Sequence, residues 1–147
     1  MTHDDMVRAL APCGLSCAKC LAKDDGGIAL GSRELLRLLT NFERHAERFA
    51  AMNPVFAKYG TFQDMLTYFA AGSCKGCRQG ECLHKGCRVT SCVKTKGVDF
   101  CFQCAEFPCA GTGFDPFLEK RWRSMNERMR EVGVETFYNE TKDLPRY

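Results

Sequence analysis

Apolar residues recur at helical spacing in three parts of the chain, and one long part lacks any such pattern. From Ser32, a residue suited to an N-cap, Leu35, Leu38, Leu39, Phe42, Ala46 and Phe49 fall on one helical face. The Asn53-Pro54 step ends that helix near residue 52, because a residue before proline avoids the helical basin. A second helix is predicted from Thr61, with Met65, Leu66, Tyr68 and Phe69 as its apolar face and Gly72 as its stop. Asp115-Pro116 reads as the N-cap and first residue of a long helix. Leu118, Trp122, Met125, Met129 and Val132 form its apolar stripe, and Glu119 and Arg123 supply an i,i+4 ion pair on the polar side. Gly133 ends or kinks this helix, and Val134, Phe137 and Tyr138 predict one or two more amphipathic turns. The stripe is expected to pack on the helical segment 32–72, since such stripes are usually core.

Residues 73–110 behave differently. They show one short helical turn at Ser91–Lys96 and no sustained period, yet they carry eight of the eleven cysteines. A stretch this poor in large aliphatic residues cannot build its own core and needs a staple. Residues 1–31 read as a short polar arm, the motif APCGLSCAKC, and a Gly-rich loop, DDGGIALG. The expected fold is mainly α: one small metal-stabilised domain over 1–147, its helices flanking a loop-rich, Cys-rich zinc module. Within it, 12–20 and 73–110 form the metal-binding module, 32–72 a helical insertion, and 115–142 the C-terminal helices.

Metal is expected from the cysteines themselves. Three CxxC pairs stand out, Cys17/Cys20, Cys74/Cys77 and Cys101/Cys104. Two intervening residues let both thiolates turn onto one ion, and four sulfurs at about 2.3 Å satisfy tetrahedral zinc. Eleven is an odd number, so complete disulfide pairing would leave a thiol over. A thioredoxin-like redox pair needs a βαβ setting, and here the pairs sit in loops such as SCKGCRQGEC. Four thiolates also suit iron–sulfur clusters. Cys13-x3-Cys17-x2-Cys20 has the spacing of radical S-adenosylmethionine enzymes, but those rest on α/β barrels, which take about 200 residues or more.

Composition and charge narrow the classes. With 147 residues, 45% of them apolar and 27% charged, the chain suits one ordered domain. No apolar run nears the roughly 18 residues that span a bilayer. The start, MTHDDMVRAL, lacks the basic and apolar regions of a secretory signal. A reducing cytoplasmic setting is therefore expected, with no membrane contact.

At this point the motifs are recognisable. PCGLSCAKC at 12–20, SCKGC at 73–77 and CRVTSCVKTKGVDFCFQCAEFPC at 87–109, with Gly133-Val134-Glu135 beyond, resemble a cysteine-rich family of bacterial and archaeal proteins of unknown function. The resemblance implies zinc binding and brings no activity. The chain departs from the family pattern at Thr90, where Arg is common, and in a Cys82–Cys87 interval two residues longer than usual.

The residues suggest two tetrathiolate sites. One joins Cys17 and Cys20 to Cys74 and Cys77; the other draws on Cys87, Cys92, Cys101 and Cys104. Cys109 is the nearest substitute, Cys13, Cys82 and His84 are held in reserve, and an interleaved order with 74/77 and 101/104 sharing a metal stays open. Eight thiolates and two divalent cations shift the formal charge by −4, from +3 to −1. Closed four-thiolate sites leave no position for water or substrate, and H-E-x-x-H, Walker A and G-x-S-x-G motifs are all missing. The expected role is a zinc-stapled interaction or sensor module with a protein partner of unknown kind and no catalysis. An iron–sulfur or thiol-based redox protein is the alternative. A nucleic-acid module is the second, with Lys75, Arg78, Lys85, Arg88, Lys94 and Lys96 on phosphates and Phe100 or Phe102 stacking on bases. A metallated chain near neutrality weighs against the last.

Overall fold

The computed structural model describes residues 1–80 and 82–147. Among these the chain is mainly helical and has no strand. Seven α-helices follow one another: α1 (His3–Ala9), α2 (Gly27–Leu38), α3 (Glu43–Met52), α4 (Tyr59–Ala70), α5 (Val89–Lys96), α6 (Pro116–Val132) and α7 (Val134–Thr141). Short 3₁₀ turns lie at Pro54–Lys58 and Cys101–Gln103. The residues divide into two compact units, Met1–Cys20 with Cys74–Tyr147, and Leu21–Ser73.

The Leu21–Ser73 unit contains α2, α3 and α4. The helix expected from Ser32 to residue 52 is in fact two. The apolar period runs through it, but Asn41 adopts φ 67°, a left-handed conformation that stops the first helix and that Asn tolerates better than most residues. Helix α2 also begins earlier, with Gly26 as N-cap, so DDGGIALG is partly helical and Ser32 lies buried in mid-helix. Helix α4 stops just before Gly72, as the sequence indicated, but starts at Tyr59, two residues ahead of the expected Thr61. Phe42, Phe49, Phe56 and Tyr59 form an aromatic cluster with neighbouring centroids 4.7 to 6.1 Å apart. Arg33 ties the unit's ends. Its guanidinium donates to the carbonyls of Asp24 (2.8 Å), Ala70 (2.9 Å) and Gly72 (3.1 Å).

The other unit is built around α6. Asp115 caps it through the Leu118 N–H at 3.0 Å, Pro116 follows, and Gly133 closes it, all as the sequence predicted. The Glu119–Arg123 pair forms at 3.4 Å. The apolar stripe packs on residues of its own unit. Met129 joins Met6, Leu10, Phe100, Val134 and Phe137 in one buried cluster. Trp122 joins Ala11, Cys13, Cys17, Val89 and Val93 in another. The physical reason is α1, which supplies Met6 and leads into Leu10. The polar arm folds because Thr2 and Asp5 make a reciprocal capping box, the Thr2 hydroxyl accepting the Asp5 N–H and the Asp5 carboxylate accepting the Thr2 N–H.

Candidate metal centre

The APCGLSCAKC motif is a tight loop on the floor of this unit. The Ala11 N–H donates to the Leu15 carbonyl at 2.7 Å, and Gly14 between them takes φ 93°. Its α-carbon faces α6 so closely that a β-carbon would stand 2.8 Å from that of Met125. Asn126, fully buried on α6, donates to the Cys13 carbonyl (3.0 Å) and accepts the Phe102 N–H (3.0 Å). One amide thus holds both the first cysteine motif and the turn carrying Cys101.

Two groups of four thiols result. In the first, the Cys77 main-chain N–H donates to Cys17 Sγ at 3.4 Å, and the Cys77 thiol bonds the sulfurs of Cys17 and Cys82, while Cys87 bonds Cys82. Cys77 and Cys87 are donors in this chain, which pushes their thiols well up. Cys17 and Cys82 are acceptors. The bond from Cys77 brings Cys17 down to about 6, and the bonds from Cys77 and Cys87 hold Cys82 far below an ordinary thiol. In the second group, Cys92, Cys101, Cys104 and Cys109 surround a void of about 30 Å³ that Trp122 also lines. Burial raises Cys101 to about 11, opposed by the neighbouring Trp122 indole. Burial likewise raises Cys13 to about 11.

Main-chain amides point at several of these sulfurs two residues on. Gly76 donates to Cys74 Sγ at 3.3 Å, Leu15 to Cys13, His84 to Cys82, and Val89 with Thr90 to Cys87. The last pair is the opening of α5, whose partial positive charge favours an anionic sulfur. The loop that bears Cys87 is fixed from outside: the Arg88 N–H donates to the Thr112 carbonyl at 3.0 Å, and His84 Nε2 stands 3.1 Å from the Gly113 carbonyl oxygen.

Two buried donors lack a hydrogen-bond partner, Arg78 Nη2 and Trp122 Nε1. The Arg78 guanidinium is half-buried, held through Nε to the Val7 and Leu10 carbonyls and stacked 4.9 Å over the Phe100 ring. Its strongest charge partner is Asp99, followed by the sulfurs of Cys17, Cys13 and Cys77. Trp122 faces Cys101. An unpartnered buried donor costs about 1–3 kcal/mol, and an anionic sulfur is the acceptor that would relieve it. Each thiol group therefore has, beside it, a donor suited to its deprotonated, metal-binding form. Among the described residues no group of three or more His, Cys, Asp or Glu side chains stands arranged to hold an ion. The sulfurs of the first group meet as hydrogen-bonded neighbours.

The groups differ from the sets expected from spacing. Cys109 stands with Cys92, Cys101 and Cys104, while Cys87 stands with Cys82. Cys77 stands with Cys17. The Cys20 N–H donates to the Cys17 carbonyl at 3.1 Å. His84 is occupied with Gly113, and His3 and His45 are exposed. Arg78 and Phe100, considered above for nucleic acid, are turned inward: Phe100 is 0% exposed, with Phe102 stacked on it at 6.0 Å. The sequence held no sign of the Arg78 and Trp122 donors, since helical spacing places a Trp in the core without saying where its N–H points.

Fold and site together define a small helical, cysteine-rich protein whose thiols are gathered by loops and capped by one long helix. The chain belongs to the family described as protein of unknown function DUF3795, whose model matches residues 9–113. No curated protein and no solved structure matches it.

Proposed function

We propose that this is a zinc-binding protein of the cell interior with two structural tetrathiolate sites, acting as an interaction or sensor module without catalysis. Cys17, Cys77, Cys82 and Cys87 would hold one ion; Cys92, Cys101, Cys104 and Cys109 the other. The observation that carries this reading is the gathering of eight thiols into two groups of four, with the Arg78 guanidinium beside the first and the Trp122 indole beside the second. Bound zinc supplies cross-linking: it draws loop segments together and keeps the sulfurs ionised. The chain's own amides orient the sulfurs, and Asn126 fixes the two turns that present them.

Elemental analysis of the full chain prepared without oxygen tests this reading. Two zinc ions per chain and a colourless solution are expected. Iron with acid-labile sulfide and visible absorption, or a metal-free folded chain, would overturn it.

A further inference from the structure

The two thiol groups differ in the space beside their sulfurs. The second lines a void of only about 30 Å³ with Trp122, Val93 and Phe107, although Cys92 itself is exposed. The first borders a much wider one. Cys82 and Cys87 line a cavity of about 370 Å³ together with His84, Lys85, Thr90 and Lys94, whereas Cys17 is only 4% exposed. Cys82 and Cys87 are also hydrogen-bonded to each other, and the Cys87 N–H donates to the His84 carbonyl at 3.0 Å, closing the loop between them. The two sulfurs are thus adjacent, half-exposed and carried on one short turn.

We propose that Cys82 and Cys87 are a peroxide-modified pair, whose oxidation to a disulfide opens the first metal site and leaves the second intact. The proposal rests on the zinc reading for its consequence, though not for its chemistry. The step balances with hydrogen peroxide as oxidant. The Cys82 sulfur attacks one peroxide oxygen; the O–O bond breaks and hydroxide leaves, giving a sulfenic acid. The Cys87 thiol then attacks that sulfur; the S–S bond forms, the S–O bond breaks, and the departing hydroxide takes the thiol proton and leaves as water. The two sulfurs lose two electrons in all, and one peroxide is reduced to one hydroxide and one water. Lys85 and Lys94 line the same cavity and place ammonium protons where the hydroxide departs. With both sulfurs consumed, Cys17 and Cys77 alone remain of the four, too few to keep an ion. A disulfide on an accessible turn is the labile, reducible kind, so a dithiol should reverse it.

The test uses the full wild-type chain, isolated without oxygen and its metal counted. Hydrogen peroxide is added in substoichiometric steps. Released zinc is read with a chromogenic chelator, and thiols are mapped by differential alkylation and mass spectrometry. The expected result is a Cys82–Cys87 disulfide as the first product, release of one of two zinc ions, unmodified Cys92, Cys101, Cys104 and Cys109, and restoration by dithiothreitol with added zinc. A different first pair, or indiscriminate oxidation of both groups, overturns the proposal even where two zinc ions were present. A chain isolated without zinc sinks the zinc reading instead, and the same mapping then still decides whether this pair reacts first.

Discussion

Trp122 combines two roles that pull against each other. Its ring fills the centre of a buried cluster, edge-on to Phe107 at 5.1 Å, and its N–H is left without a conventional acceptor. Trp122→Phe keeps most of the packing and removes the donor. Groups just outside a metal's ligands typically change affinity by about 10- to 100-fold, so Trp122→Phe should weaken one zinc site about tenfold and leave the other unchanged. Competition with a graded series of chelators measures both. Gly113 is constrained more harshly. It takes φ 73°, and a β-carbon there would stand 2.0 Å from the Gly86 carbonyl oxygen, a rigid backbone atom. Gly113→Ala must push apart the loop bearing Cys87 and the strap at Thr112, and should cost at least about 2 kcal/mol, read as a lowered denaturation midpoint of the zinc-loaded chain. At this scale the sequence was informative about chemistry and silent about direction. The CxxC spacing shows where thiols cluster along the chain, but only three-dimensional placement pairs Cys109 with Cys92 and Cys87 with Cys82, because loops without hydrophobic periodicity carry no register.

Elements were legible where a periodic face coincided with explicit start and stop residues. Helix α6 has Asp115, Pro116 and Gly133 at its ends, and the sequence delimits it to the residue. Helix α2 has a weak glycine start and an asparagine break, so the period of 35–49 joined two helices that Asn41 separates. Helix α1 was hidden by its polarity: a seven-residue segment with one buried residue offers no stripe, and only the Thr2/Asp5 box announces it. That box yields a pH prediction. The Thr2 N–H, then Arg8 at 2.8 Å and the Thr2 hydroxyl, hold the Asp5 carboxyl well below the usual carboxylate range. Because the folded value is depressed, the cap's contribution is present above the unfolded value near about 4 and fades as pH falls below it. Protection of the amides at residues 3–6, taken relative to the intrinsic exchange rate at each pH, should therefore fall on acidification below that point. In Asp5→Asn it should be low already at neutral pH and respond less to acid. An unchanged pH profile in the variant would rule this account out.

At the scale of the molecule, every cysteine belongs to the unit made of Met1–Cys20 and Cys74–Tyr147, and none to Leu21–Ser73. The second unit is ordered by means that need no metal: the aromatic cluster of Phe42, Phe49, Phe56 and Tyr59, and the Arg33 contacts to three carbonyls. The first has apolar clusters under α6, in which the stretch from residue 82 to 109 supplies Val89, Val93 and Phe100 as buried members and otherwise only partly buried residues. Structural zinc in small modules contributes about 10–16 kcal/mol of apparent binding free energy, against about 5–15 kcal/mol for the stability of a whole domain. Removing the ions should therefore have an uneven effect. Hydrogen exchange before and after chelation under reducing conditions is expected to show lost protection at 12–20 and 87–109. Protection should persist in α2 and α4. Exchange that rises equally in both units would mean that metal governs the whole fold, and exchange that rises in neither would mean that the thiol groups are ordered by packing alone. The unevenness follows from where hydrophobic area lies along the chain: the segment that concentrates cysteines is the one with the fewest large aliphatic residues.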